Sequence, residues 1–106
     1  MQGFQLAFFT QQDRRHSHKP ICDWLLDLAK ETGLHGATVL PGAKGFGHSG
    51  HLHSANFFDL ADQPQMVLMT ATAEQAESIL SRIKSEKLQL FYVQTAVEFA
   101  LIGDVE

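Results

Sequence analysis

The order of hydrophobic patterns along the chain constrains the fold more than any other feature. A segment of alternating apolar residues (3–10) is followed by an amphipathic stretch between Pro20 and Gly33, and then by a short segment rich in β-forming residues (36–40). Proline suits the first turn of a helix because it has no N–H to leave unpaired, and glycine readily takes the left-handed backbone that ends a helix. The first part of the chain therefore predicts a strand, a helix and a second strand parallel to the first.

The second part of the chain repeats this order of elements. Residues 65–72 predict a third strand, and Thr72 with Gln75 matches a capping box, which predicts the start of a second helix. This helix is expected to end at about Glu86, and the apolar chain from 88 to 102 is expected to form the last strands. The whole pattern predicts an α+β, ferredoxin-like (split βαβ) antiparallel sheet with two helices on one face.

The strands also predict an interface. Residues 65–72 and 88–102 are apolar on both alternating sets, whereas two helices can cover only one face of such a sheet. An uncovered apolar face usually forms an interface, so we expect sheet faces to be buried between subunits of an oligomer.

Length and charge narrow the class of protein. The 106 residues predict one domain spanning 1–106, and the net charge of -4, with Lys and Arg clustered only at 13–15, argues against a nucleic-acid partner. Cys22 is the single cysteine, which suits a reducing compartment. Because the chain has neither a secretory leader pattern nor an apolar run approaching the ~20 residues of a membrane span, we expect no membrane insertion and a cytoplasmic location.

A glycine-rich loop follows the second predicted strand. Gly45, Gly47 and Gly50 have the spacing of a dinucleotide-binding motif, but the chain after them reads as extended, whereas that motif must open a helix. We therefore predict a glycine-rich loop rather than a Rossmann site. Its backbone N–H groups, with Lys44 as a nearby cation, could hold an anion.

Three histidines in this loop define a hypothetical metal site. His48, His51 and His53 lie within six positions, and His51 and His53 would share one face of an extended segment, as two imidazole ligands of a metal require. The competing interpretation is that they are solvated loop side chains. Two further histidines, His16 and His18, stand in a polar segment with arginines and a lysine and predict a small basic surface rather than a metal site.

Signs of catalysis are weak. Cys22 falls in a first helical turn, where a thiol can be activated, but it also borders the apolar stripe, and we expect a buried, inert side chain. Glu98 has no acidic partner in its apolar strand, which an ion pair or an exposed edge explains as well as catalysis does. We expect a protein that is not an enzyme.

The segment 36–40, followed by Gly42 and by the run Lys44-Gly45-Phe46-Gly47, resembles the second strand and T-loop base of PII-type signal transducers and of the related PII-like family. The resemblance continues through 65–72, the second helix and 91–99, so it covers most of the chain beyond Pro20. It implies a homotrimer with small-molecule sites in the clefts between subunits. It also implies a T-loop at about 47–63 that docks on a target protein, such as a transporter or an enzyme.

In such proteins adenine nucleotides lie against the T-loop base and the loop after the second helix. By position, the resemblance implies ligand contacts from Thr38, Val39, Gly42, Lys44, Gly45, Phe46, Gly47, Lys84 and Lys87. This chain departs from the nucleotide-binding PII pattern, since it has no glycine-rich loop between Ile83 and Gln89 and no arginine at 100–103. Its single tyrosine, Tyr92, lies in a predicted strand, so uridylylation of a T-loop tyrosine is not expected.

The first functional hypothesis is a trimeric PII-like regulator that senses a small anionic effector, such as an adenine nucleotide or an inorganic anion, and couples its binding to the T-loop. The alternative is a trimeric CutA-like protein that binds divalent metal, copper or zinc, through the three loop histidines. An enzyme with its active site between subunits is a third and weaker hypothesis.

Overall fold

The computed structural model of the protein describes residues 1–46, 52–54 and 63–103. Within these residues the elements are β1 (Gln2–Gln11), β2 (Arg15–His16), β3 (Lys19–Pro20), α1 (Ile21–Thr32), β4 (Ala37–Pro41), β5 (Lys44–Phe46), β6 (Leu52–Ser54), β7 (Pro64–Ala71), α2 (Ala73–Ser85) and β8 (Phe91–Glu98). No helix of this described part is long and apolar enough to cross a membrane.

The main sheet has four strands in the order β4-β7-β1-β8, and every neighbouring pair is antiparallel. Since β7 runs between them, β4 and β1 point the same way without touching, which is the split arrangement of a βαβ unit. Both helices pack on one face of this sheet, so the predicted α+β, ferredoxin-like fold class is confirmed.

The core lies between that face and the two helices. Alternate residues of β1 and β7 point into it, and each helix contributes its apolar stripe. The largest fully buried side chains are Phe8, Leu6, Ile21, Leu25, Met69, Ile79 and Val67. The positions in β1, α1 and α2 fall on the apolar sides predicted by the sequence pattern, whereas β7 is apolar on both sides and the structure shows that Val67 and Met69 face the core.

The ends of both helices follow the predicted local signals. Helix α1 begins directly after Pro20 and ends at Gly33, whose φ of 86° is the left-handed conformation that glycine tolerates. At α2 the Thr72 hydroxyl accepts a hydrogen bond from the Gln75 N–H (3.2 Å), and the Gln75 side chain accepts one from the Thr72 N–H (2.9 Å). The predicted capping box is confirmed.

Two segments differ from the expectation. The polar stretch before α1 contains a small hairpin of β2 and β3, whose two turn residues, Ser17 and His18, have positive φ values of 52° and 67°. Hairpin turns with this backbone usually carry Asn-Gly, so the sequence had no signal for it. The last strand ends at Glu98, and the expected continuation to Ile102 is not a strand.

The sheet face away from the helices carries an apolar surface, as predicted. The strand register places Ala7, Phe9, Leu40, Met66, Leu68, Phe91 and Val93 on it, and this set is called the open face. Among them Phe91 is 56% exposed, Val93 44% and Phe9 40%. A contiguous apolar surface of this kind is typical of an interface.

Candidate functional site

One end of the sheet brings together the segments from which function was expected. In the strand register Gln11 faces Pro64, Pro41 faces Gln65, and Phe9 faces Phe91. The hairpin segment (12–20), the segment at the base of the predicted T-loop (41–46, called the T-loop base) and the segment after α2 (86–90) therefore lie at the same end. We call it the loop end.

Backbone hydrogen bonds close the T-loop base. The Gly42 N–H donates to the Pro64 carbonyl at 2.8 Å, and the Gln12 N–H donates to the Gln63 carbonyl at 2.9 Å. A Cβ on Gly42 would lie 3.3 Å from the Pro64 Cβ, which leaves little room for a side chain there. The chain thus enters and leaves the T-loop region through a closely packed base.

The glycine-rich segment continues from this base as a two-stranded ribbon. Strands β5 and β6 pair antiparallel, with Gly45 opposite His53. Gly45 lies in a strand and not in a turn that opens a helix, which is inconsistent with a Rossmann motif. Gly47 and most of the predicted T-loop (47–63) lie outside the described residues.

The hairpin is attached to the end of α2 through side chains. The Arg14 guanidinium donates to the Gln89 carbonyl (3.0 Å), and His16 Nε2 lies 2.9 Å from Glu86 Oε1. The His16 ring also packs edge-on against Trp24, with ring centroids 5.0 Å apart. These contacts hold the hairpin against the segment that follows α2, a proximity that sequence spacing does not reveal.

The Glu86 carboxylate has two partners at this junction. Its Oε2 accepts a hydrogen bond from Arg82 Nε at 3.2 Å, one helical turn earlier. The hydrogen bond with His16 and, second, that with Arg82 lower the pKa of Glu86 below its ordinary value. The carboxylate is therefore engaged by two partners that favour its ionised form.

The thiol of Cys22 is buried at the start of α1. Its Sγ lies 2.8 Å from Gln65 Oε1, to which the thiol donates a hydrogen bond. Burial and, to a smaller degree, the nearby Asp23 raise the pKa of the Cys22 thiol to about 11. The thiolate is the reactive form, so the structure favours the inert interpretation of this cysteine.

The ligand contacts implied by the resemblance fall into two groups. Thr38 and Val39 are adjacent in β4 and point to opposite faces: Thr38 is exposed, whereas Val39 packs against the core. Lys84 and Lys87 are exposed at the end of α2. Of Lys44, Gly45 and Phe46 the structure describes the β5 backbone, which continues directly from the T-loop base.

The metal hypothesis rests on residues that the structure describes only in part. His48 and His51 lie outside the described residues, and His53 is described only as a backbone position in β6. Within the described ranges no group of three His, Cys, Asp or Glu side chains could hold a metal ion. The histidine site therefore stays a prediction.

An open cavity of about 480 Å³ lies at the opposite end of the sheet, between the start of α2 and β8. Gly3, Phe4, Ala73, Val97 and Glu98 are among its lining residues. Its described lining includes none of the ligand residues implied by the resemblance.

The fold is that of the PII-like proteins. One similar structure is that of CPII, a nitrogen regulatory PII-like protein from Thiomonas intermedia K12, which was solved with ADP, AMP and bicarbonate. The superposition has a TM-score of 0.67 at 17% sequence identity, and it covers 92% of this chain and 87% of CPII. A protein of Thermus thermophilus described as a putative PII-like signaling protein gives a TM-score of 0.68 at 17% identity, covering 91% of this chain and 87% of the other.

Sequence comparison then shows the family. The family model described as "Uncharacterized ACR, COG1993" (DUF190) matches residues 3–98. The chain is also 33% identical over 82 residues to the UPF0166 protein of Aquifex aeolicus (strain VF5). This alignment covers 76% of this chain and 78% of that protein. The chain belongs to the DUF190 family and has a PII-like fold, so the resemblance found in the sequence is confirmed.

Proposed function

We propose that this protein is a homotrimeric PII-like regulator, not an enzyme. It binds a small anionic effector, such as an adenine nucleotide, in clefts between subunits and acts on a target protein through the T-loop at about 47–63. The observation that carries the proposal is the convergence of the T-loop base and the segment after α2 at the loop end of a PII-like fold. CPII, which shares this fold, was solved with ADP, AMP and bicarbonate.

The charge at the loop end is consistent with an anionic effector. Lys84 is exposed in the last turn of α2, and Lys87 is exposed in the segment after it. The backbone of Lys44 lies in the β5–β6 ribbon that continues from the T-loop base. Cations on elements that converge at one end attract anions, even on a chain whose net charge is negative. Lys84 and Lys87 are the effector contacts that we place outside the T-loop base.

The open face supports the trimer. Burying Phe91, Val93 and Phe9 against equivalent faces of two further copies would remove a large exposed apolar area from water. A closed ring of three subunits would also set the loop end of one copy beside its neighbour, which creates the clefts.

The backbone of the T-loop base suggests how the effector would be coupled to the target. Gly42 and Pro64 clamp the two chain segments at the base, and the β5–β6 ribbon extends from it. An effector bound at the base would contact the ribbon directly, so occupancy would bias the conformation of the residues beyond it.

The test is a thermal-shift panel with AMP, ADP, ATP, cyclic nucleotides, bicarbonate, copper and zinc. A ligand that binds only the native state at a concentration of 100 Kd stabilises it by about 2.7 kcal/mol, which corresponds to a rise in Tm of about 10 °C or more for a domain of this size. A saturable rise with a nucleotide or bicarbonate is expected, together with altered protease cleavage between 47 and 63. Absence of both effects for every anion would refute the proposal.

The same panel separates the CutA-like alternative. A rise with copper or zinc alone, lost when His48, His51 and His53 are all changed to Ala, would favour a metal-binding protein. A metal response that survives the triple change would eliminate that alternative.

A further inference from the structure

The cationic side chains of this acidic chain are concentrated at the loop end. Six of the Lys and Arg residues lie on the hairpin segment or at the end of α2: Arg14, Arg15, Lys19, Arg82, Lys84 and Lys87. Lys30 stands apart, in the last turn of α1, at the opposite end of that helix from the hairpin. The hairpin segment (12–20) itself carries three cationic side chains and one carboxylate, Asp13.

Two of these six cations have carboxylate partners. Lys19 pairs with Asp27 at 2.6 Å, and Arg82 pairs with Glu86 at 3.2 Å. Within the part of the chain that the structure describes, Arg14, Arg15, Lys84 and Lys87 have no carboxylate oxygen within 4.0 Å. Arg14 and Arg15 lie on the hairpin segment, Lys84 lies in the last turn of α2 and Lys87 follows that helix.

The two arginines of this group are oriented by backbone carbonyls. The Arg14 guanidinium donates to the Gln89 carbonyl at 3.0 Å, and that of Arg15 donates to the His18 carbonyl at 2.8 Å. A bond to a neutral carbonyl fixes the direction of a guanidinium without cancelling its charge, and most of its five N–H donors stay available. Arginine forks match phosphate oxygens in a bidentate geometry.

Arg14 connects the hairpin to the segment after α2. Its bond to Gln89 places the guanidinium against the segment after α2, which in this chain is short and has no glycine between Ile83 and Gln89. The N–H groups of Glu86, Lys87 and Leu88 already donate to carbonyls of α2, so this segment offers few backbone N–H groups to a phosphate chain. The hairpin brings side-chain donors to the same place.

We propose that the hairpin supplies the phosphate-binding groups of the effector site. Arg14 and Arg15, together with Lys84 and Lys87, bind an anion that carries at least two linked phosphates, either on a nucleotide or as free pyrophosphate. The inference rests on the proposed function, because it assigns ligand contacts at the same loop end. It adds a segment that the PII resemblance does not include and a preference for diphosphate over monophosphate.

The experiment is isothermal titration of the full-length protein with ADP, AMP and pyrophosphate. Arg15→Gln is the leading variant because the Arg15 side chain is exposed and bonds only within its own turn among the described residues. Lys30→Gln is the matched control, since it removes the same charge far from the hairpin. Loss of charge-assisted hydrogen bonds to a phosphate corresponds to a fall in affinity of roughly tenfold or more.

The expected result is a fall of that size for ADP in Arg15→Gln and Arg14→Gln, with AMP affected less than about threefold and Lys30→Gln unchanged. Arg15→Lys, which keeps the charge but loses the fork, should give an intermediate affinity. An equal fall for pyrophosphate indicates that the phosphates alone are recognised, whereas ADP binding without pyrophosphate binding indicates a nucleotide site. Both results support the assignment of the hairpin.

Three outcomes would overturn the inference, and they are distinguishable. Hairpin variants that bind ADP like the native protein refute the hairpin site but leave the proposed function standing. Equal losses for AMP and ADP refute the preference for diphosphate. A native protein that binds none of the anions refutes both proposals. Fluorescence of Trp24, the single tryptophan, which packs against His16, shows whether the hairpin of each variant is folded.

Discussion

Replacing Phe91 by Ala tests the subunit interface on which the proposed clefts depend. Phe91 is 56% exposed and packs against Phe9 across the open face, with ring centroids 5.8 Å apart. Because a phenylalanine offers roughly 150–250 Å² of surface, about 100 Å² of Phe91 remains to be buried in an oligomer. At ~25 cal/mol per Å² this burial contributes about 2.5 kcal/mol per subunit, or about 60-fold in a dissociation constant.

The assay is light scattering coupled to size-exclusion chromatography over a range of micromolar concentrations. The native protein is expected as a trimer, and Phe91→Ala should dissociate at concentrations at which the native trimer persists. The control is Tyr92→Ala, an adjacent aromatic residue that is 42% exposed but packs on Phe8 on the helix side of the sheet. A native protein that is monomeric at micromolar concentration, or a Tyr92→Ala variant that dissociates as readily as Phe91→Ala, would refute the reasoning.

Three further predictions concern single groups. The Cys22 thiol, with a pKa raised by burial from 9.0 to about 11, should react with iodoacetamide ~100-fold more slowly in the native than in the denatured protein, and equal rates would contradict its burial. The lowered pKa of Glu86 means that its carboxylate stabilises the native state above pH 4.5, and this contribution is lost as the pH falls below that value. Glu86→Gln should therefore flatten the dependence of Tm on pH in that range, and a profile identical to the native one would exclude the effect. Gly3→Ala should destabilise the sheet by about 1–3 kcal/mol in chemical denaturation, since its Cβ would lie 2.1 Å from the Ala71 carbonyl oxygen. Gly36→Ala, with nothing within 4 Å of the added Cβ, is the control, and equal losses for the two variants would count against the clash.

The elements that the sequence predicted well are those with local causes. Helix α1 starts after Pro20 and ends at Gly33, and the capping box of Thr72 and Gln75 opens α2, because each signal acts within one turn of chain. The core side of β1 followed from its alternation, whereas β7 and β8 are apolar on both sides and their core side could not be read from the pattern.

The hairpin at the loop end could not be predicted from local sequence signals. Ser17 and His18 take a left-handed backbone that is uncommon for residues other than glycine. The Arg15 side chain bonds across this turn to the His18 carbonyl, and His16 is held by Glu86, 70 residues further along the chain. The contact between His16 and Glu86 is too distant along the chain to leave a sequence pattern, so the segment reads as a polar linker.

The sequence by itself determined the type and order of the main elements, the two-sided apolar character of the strands and the family resemblance in the segment 36–47, because these depend on residues close together in the chain. Only the tertiary structure decided the register of the strands and that the hairpin reaches the end of α2. Register and contacts between distant segments result from how the buried faces fill space against one another, and a one-dimensional pattern of polar and apolar residues is compatible with several such packings. The candidate effector site belongs to this second group, since its cations come from segments about 70 residues apart in the chain.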